Sequence, residues 1–112
     1  MCLFCKIVGK QIPARILFED DDLLAFHDIN PAAPTHVLVI PKVHLGSLSD
    51  ALPHQAELLG KLLLAASRAA GLTGLSQSGY RVVANTGPDA GQSVFHVHLH
   101  VLGGRALAWP PG

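Results

Sequence analysis

Apolar and polar positions fall along this chain in short alternating runs, interrupted by one stretch of helical period. Ile16 to Glu19 and Leu23 to Phe26 are apolar runs on either side of the acidic triplet Asp20-Asp21-Asp22, the pattern of a hairpin. Asn30 to Pro34 holds two prolines and cannot continue a ladder, whereas His36 to Ile40 is β-branched and apolar until Pro41 ends it. That segment predicts a third strand. Asp50 precedes Pro53 and Glu57, after which Leu58, Leu59, Leu62, Leu63, Ala66 and Ala70 recur at helical spacing until Gly71. One amphipathic helix is expected over this stretch. Tyr80 to Asn85 reads as a strand, Thr86 to Gly91 as a glycine-containing loop, and Val94 to Leu102 as a last strand closed by Gly103 and Gly104. Strands on either side of a single long helix predict an α+β architecture with an antiparallel sheet.

The length of 112 residues suits one domain spanning 1–112. Hydrophobic residues make up 49% and charged ones 14%, which is rich in apolar surface for a small monomer, so a partner subunit is expected to cover part of it. Lys plus Arg equal Asp plus Glu at 8 each, so no positive field exists to condense on a nucleic acid. The longest apolar runs, Leu62 to Ala66 and Val37 to Ile40, fall far short of the roughly 20 residues of a membrane span. Met1 to Lys10 lacks the basic and apolar regions of a secretory leader, which makes a soluble cytoplasmic protein the expectation. In a reducing compartment, Cys2 and Cys5 read as metal ligands or free thiols before a disulfide.

The densest chemistry lies in the last strand. His96, His98 and His100 alternate with Val97, Leu99 and Val101, and a strand sends successive side chains to opposite faces. The three imidazoles are therefore expected on one face, converging on a phosphate or a metal ion, with the valines and leucine against the long helix. Histidine has a pKa near 6.5, which suits proton and nucleophile chemistry at neutral pH. His-x-His on a strand is also a good zinc pair, so a metal site is the rival reading. The preceding segment, Asn85 with Gly87, Gly91, Gln92 and Ser93, offers backbone amides and short polar groups without a carboxylate, which suits phosphate oxygens.

The run Gly91-Gln92-Ser93-Val94-Phe95-His96-Val97-His98-Leu99-His100-Val101-Leu102 resembles the histidine triad motif, His-x-His-x-His followed by apolar residues. The resemblance extends to Phe26-His27-Asp28-Ile29, to His36-Val37-Leu38-Val39-Ile40-Pro41-Lys42, and to Gly103-Gly104-Arg105 with Trp109-Pro110-Pro111-Gly112. It is strongest toward the histidine triad nucleotide-binding branch, whose members are dimeric purine nucleoside phosphoramidases and nucleotidyl hydrolases. The resemblance implies a HIT-like fold: an antiparallel five-stranded sheet with one long helix and a short N-terminal helix, joined across a homodimer. It further implies that His98 attacks the α-phosphorus of an adenosine phosphoramidate or acyl adenylate, forming a nucleotidyl-histidine. His100 and His36 would contact phosphate, and Ser93 would assist the leaving amine. Asp28 would accept from the ribose hydroxyls. Ile29, Asn85, Gly91, Gln92, Ser93 and Leu99, with His98 and His100, would line the site for a purine nucleoside monophosphate or phosphoramidate. Phe26 and Ile29 would be shared between core and purine pocket.

Relatives that carry the N-terminal cysteine pair imply a structural zinc on Cys2, Cys5, His44 and His96, whereas other relatives lack the pair and do without metal. The chemistry itself requires no cofactor. Without zinc, His96 would support its neighbours through hydrogen bonds. Trp109 is too large and apolar to stay free in water and is expected to dock; in the branch, the tail reaches the partner's active site and shapes leaving-group preference. Two other functions stay open: hydrolysis of dinucleoside polyphosphates, which Ser93 and the tail argue against, and a nucleotide-binding or regulatory module with incidental turnover.

Overall fold

The structure is a computed structural model that describes residues 2–112, so Met1 of the leader reading lies outside the described residues. A short helix α1 (Leu3–Val8) is followed by strands β1 (Ile16–Glu19), β2 (Leu23–His27) and β3 (Thr35–Pro41), the long helix α2 (Ala56–Leu72), and strands β4 (Tyr80–Val83) and β5 (Leu99–Gly103). The five strands form one sheet in the order β1-β2-β3-β5-β4, antiparallel at every pairing. The α+β architecture and antiparallel sheet expected from the pattern are those observed.

The β1–β2 hairpin closes through Asp20, whose Oδ1 accepts from the amides of Asp22 (2.7 Å) and Leu23 (3.0 Å). The side chain thus replaces ladder partners at the turn. β2 and β3 are buried on both faces. Leu23, Ala25, Val37, Val39, Leu99 and Val101 face α2, which meets them with Leu62 and the small residues Ala65, Ala66, Ala69 and Ala70. Small side chains let the helix axis approach the sheet closely. The other face presents Leu24, Phe26, Leu38 and Ile40 to Phe4 and Ile7 of α1. Burial of a side chain such as Leu62 stabilises by roughly 1.5–3 kcal/mol.

Three expected elements are shorter than the pattern suggested. The α-helix begins at Ala56, not at Asp50, because the chain before it forms 3-10 turns at Leu48–Asp50 and Pro53–Gln55. Leu52 between them is extended (φ −108°, ψ 160°), as a residue preceding proline favours. The last strand begins at Leu99, not at Val94, and β4 ends at Val83, short of Asn85. Val94 to His98 lie outside the ladder, although Val97 still faces the α2 core and His96 and His98 still face away from it.

Candidate functional site

The face of the sheet that carries α1 also carries the histidines. In the β3–β5 register, Leu38 sits opposite His100 and His36 opposite Leu102, so His36 and His100 are diagonal neighbours on this face. Their rings approach until His36 Nε2 lies 2.8 Å from His100 Nδ1. The His98 and His100 ring centroids are 4.9 Å apart. His96 does not join that group. Its ring is fully buried and turns toward the N-terminus, so the expected convergence of three imidazoles on one small group is corrected to two clusters.

In the first cluster, the backbone sets the tautomers. His98 Nδ1 donates to the His96 carbonyl at 2.7 Å, which leaves the lone pair of the neutral ring on Nε2. The Ala32 amide donates to His36 Nδ1 at 3.0 Å, so the proton of neutral His36 sits on Nε2 and points at His100 Nδ1. His100 then carries its proton on Nε2, a buried atom with no partner among the described residues. Burial is the main reason that His100 titrates low, at about 4, with the charges of His98 and His36 adding to it and Asp28 opposing it. Burial likewise lowers the pKa of His36, again opposed by Asp28, whose Oδ2 lies 3.4 Å from His36 Nε2. At neutral pH His36 and His100 are therefore uncharged, each a donor on one ring nitrogen and an acceptor on the other. The cluster thus sets a hydrogen-bond donor on His100 beside a ring, His98, whose neutral form carries its lone pair on Nε2.

Asp28 also accepts the Asn30 amide at 2.9 Å, so it caps its own turn as well as facing His36. Ile29 beside it is 91% exposed, whereas Phe26 is buried in the core against Phe4. The Asn85-to-Ser93 segment is held by Gln92, whose side chain accepts from the Gly87 amide and donates to the carbonyls of Gly46 and Val94. Gln92 is therefore buried as a brace, and its own amide is engaged as well, donating to the Gly87 carbonyl at 3.1 Å. Gly91 and Ser93 are exposed and Asn85 is half-buried. Leu99 is a correction: its side chain is 5% exposed and faces α2, away from the histidines. Trp109 is 81% exposed and does not dock on its own chain, although Arg81 holds the tail before it through the Ala108 carbonyl at 2.9 Å.

The second cluster is Cys2, Cys5, His44 and His96. Cys2 caps α1 by accepting the Cys5 amide, which brings both thiols to one end of the helix. The Sγ–Nδ1 separations are 3.6 and 3.4 Å from Cys2 to His44 and His96, and 3.3 and 3.5 Å from Cys5; the two Nδ1 atoms are 3.3 Å apart. A tetrahedral zinc at about 2.3 Å from sulfur and about 2.05 Å from nitrogen sets S···N edges of about 3.6 Å and N···N edges of about 3.3 Å. The donor set and its spacing fit that ion. His96 Nε2 donates to the Pro41 carbonyl at 2.8 Å, which frees Nδ1 as the ligand atom.

Sequence patterns did not single out Phe4, which sits edge-on to His98 (5.0 Å between centroids) and to His96 (6.0 Å). Nor did they single out the carbonyls of His96 and Pro41 or the amide of Ala32, because backbone partners leave no trace in residue type.

A family model described as the HIT domain matches residues 9–107. A "14 kDa zinc-binding protein" of Zea mays is 52% identical over 112 residues, covering 98% of this chain and 87% of its own. Among solved structures, a HIT family hydrolase from Legionella pneumophila is similar with a TM-score of 0.98 at 51% identity, each chain covered completely. A histidine triad nucleotide-binding protein from Candida albicans is similar with a TM-score of 0.84 at 34% identity, covering 98% of this chain and 83% of that one. The domain match and relatives that share half of its residues along nearly its full length establish that this chain belongs to the HIT domain family.

Proposed function

We propose that the chain is a purine nucleoside phosphoramidase, a hydrolase of the phosphorus–nitrogen bond that works through a nucleotidyl intermediate on His98. The observation that carries this reading is the His98 Nδ1–His96 carbonyl bond of 2.7 Å, which presents the Nε2 lone pair of a neutral imidazole to the site. An imidazole nitrogen is a competent nucleophile at phosphorus, and the phosphoramidate it forms is labile to water. The hydrolase and nucleotide-binding names of similar structures favour the same class.

In the first step His98 Nε2 bonds to the α-phosphorus while the bond from phosphorus to the leaving nitrogen breaks. The ring becomes cationic, and its Nδ1–H to the His96 carbonyl becomes a charge-assisted bond. The departing nitrogen takes a proton relayed from water through the Ser93 hydroxyl, which ends the step protonated. The His100 Nε2–H donates to a phosphoryl oxygen as negative charge builds there. Water then attacks phosphorus on the same site, the bond to Nε2 breaks, and one of the water's protons returns to solvent. The products are an amine and a nucleoside monophosphate. In this reading Asp28 accepts from the ribose hydroxyls, with Asn85 and the Ser93 amide holding the remaining polar groups.

Cys2, Cys5, His44 and His96 would hold a structural zinc. Bound there, it would cross-link α1 to the segment that carries the histidines and supply no chemistry to the reaction. The working form is a homodimer, supported by the unpaired outer edge of β4 and by apolar Leu48, Leu63 and Val82, which are exposed beside it.

The test is steady-state hydrolysis of a fluorogenic adenosine phosphoramidate by the wild-type chain and by His98→Ala, both checked for AMP binding. Turnover abolished by the substitution is the expected result. Wild-type binding of AMP without turnover would overturn the substrate assignment and direct the assay to dinucleoside polyphosphates.

A further inference from the structure

The Gly104–Arg105 corner after β5 does not touch the histidine cluster, yet it is fastened to the loop that does. Arg105 Nη2 donates to the Ala32 carbonyl at 3.1 Å. A Cβ on Gly104 would meet the Pro34 Cβ at 2.8 Å and the Thr35 nitrogen at 3.5 Å, so the corner lies flat against residues 34 and 35. Its φ of +93° suits glycine alone. The amide of Ala32, one peptide away from the carbonyl that Arg105 grips, is the group that caps His36 Nδ1.

From that amide the proton positions follow in order. His36 Nδ1 accepts, so Nε2 carries the proton, and it lies 2.8 Å from His100 Nδ1. Asp28 Oδ2 at 3.4 Å from the same Nε2 favours the proton there as well. His100 Nδ1 must then accept, and the buried, unpaired Nε2 is an N–H donor. If the Ala32 amide drifts away, His36 is free to hold its proton on Nδ1. The His100 proton then moves to Nδ1, and a lone pair faces the site where an anionic oxygen has to bind.

We infer that Arg105 is a positioning residue: by holding the Ala32 peptide on His36 it fixes the proton on His100 Nε2, the donor to the phosphoryl oxygen. The catalytic consequence rests on the phosphoramidase reading, whereas the effect on the tautomers does not.

The experiment is a long-range proton–nitrogen correlation spectrum of histidine-labelled protein near pH 7, for the wild-type chain, Arg105→Ala and Arg105→Lys. The spectrum is paired with kcat and KM on an adenosine phosphoramidate. The wild type is expected to show His36 and His100 each protonated on Nε2. Arg105→Ala should give mixed tautomers at both rings and a roughly three- to tenfold loss in kcat, the scale of one hydrogen bond, with KM little changed. Arg105→Lys, which keeps a donor, should recover part of both. In a His100→Ala background, Arg105→Ala should cost nothing further, since the relay is already cut. Unchanged tautomers in Arg105→Ala, or a full additional loss in the His100→Ala background, would overturn the inference. Arg105→Met, which keeps the aliphatic stem without donors, replaces Arg105→Ala should the latter unfold. The spectra need no turnover: mixed tautomers in an inactive protein would sustain the relay while refuting the substrate.

Discussion

The carbonyl of His96 accepts the Nδ1 proton of His98 at 2.7 Å, while the His96 ring reaches the two cysteines and His44 through its own Nδ1. One residue therefore belongs to both clusters, by its backbone to the first and by its side chain to the second. Whatever holds the His96 ring also fixes the direction in which the His98 lone pair points. The Pro41 carbonyl on His96 Nε2 and the edge of Phe4 against both rings complete the mounting.

Removing the Phe4 ring should therefore cost both stability and rate. Phe4→Ala deletes a buried aromatic that touches Phe26, His96 and His98, and a loss of about 3–5 kcal/mol is expected from urea unfolding. Phe4→Leu fills most of the volume but has no ring edge. It should recover most of the stability and less of kcat, measured well below its melting temperature. Equal recovery of the two would mean that Phe4 serves only as core.

The cysteine–histidine cluster predicts about one zinc per chain in protein purified without chelator, and almost none in Cys5→Ser. Because the ligand atoms come from α1, the turn after β3 and the segment before β5, metal binding should stabilise the native state alone. At zinc a thousand times above Kd that effect is about 4 kcal/mol. The check is elemental analysis together with thermal melts before and after chelation. A chain whose melt and metal content are the same in wild type and Cys5→Ser would refute the site.

Much of the fold was legible because local chemistry and global placement agree. Asp20 to Asp22 made a turn between apolar runs, and the leucine and alanine period of α2 matched the face it buries. The alternation from His96 to Val101 gave the correct faces even where the ladder is absent, since the apolar partners still seek the helix. Pattern could not show that His96 turns away from His98 and His100. That choice depends on Cys2 and Cys5, more than ninety positions away, and on the Pro41 carbonyl. Leu99 entered the candidate site through the family resemblance, and strand alternation turns its side chain to the α2 face.

The low titration of His100 and His36 makes stability fall on acidification. Both pKa values are depressed in the folded state, His100 to about 4, whereas an unfolded chain takes up protons near the ordinary 6.5. Between those values the unfolded state binds more protons, so stability is complete above about 6.5 and is lost as pH falls toward 4, with a slope of at most roughly 1.4 kcal/mol per pH unit for each ring. Urea midpoints measured in steps across that window test the sign. Asp28→Asn removes the charge that holds the His36 value up, and should steepen the loss. A midpoint flat across the window would mean that the rings are solvated in the native state.

The apolar margin beside β4 predicts the assembly state. Among the described residues β4 pairs with β5 alone, which leaves its outer edge without ladder partners there, and unprotected edges invite pairing with another chain. Next to that edge, Leu48, Leu63 and Val82 are exposed around a groove floored by Leu62, Val97 and Leu99. Joining two such edges would extend the sheet and cover the groove in one contact, and stable interfaces bury about 1,200–2,000 Å² in total. Sedimentation equilibrium is expected to give twice the chain mass of 11.8 kDa for the wild type. Leu63→Glu puts a charge into the groove margin and Val82→Glu puts one on the edge strand; each should shift the equilibrium to the monomer, leaving the His98 site of each chain folded. Wild-type protein that stays monomeric at every concentration would exclude this face as a self-interface.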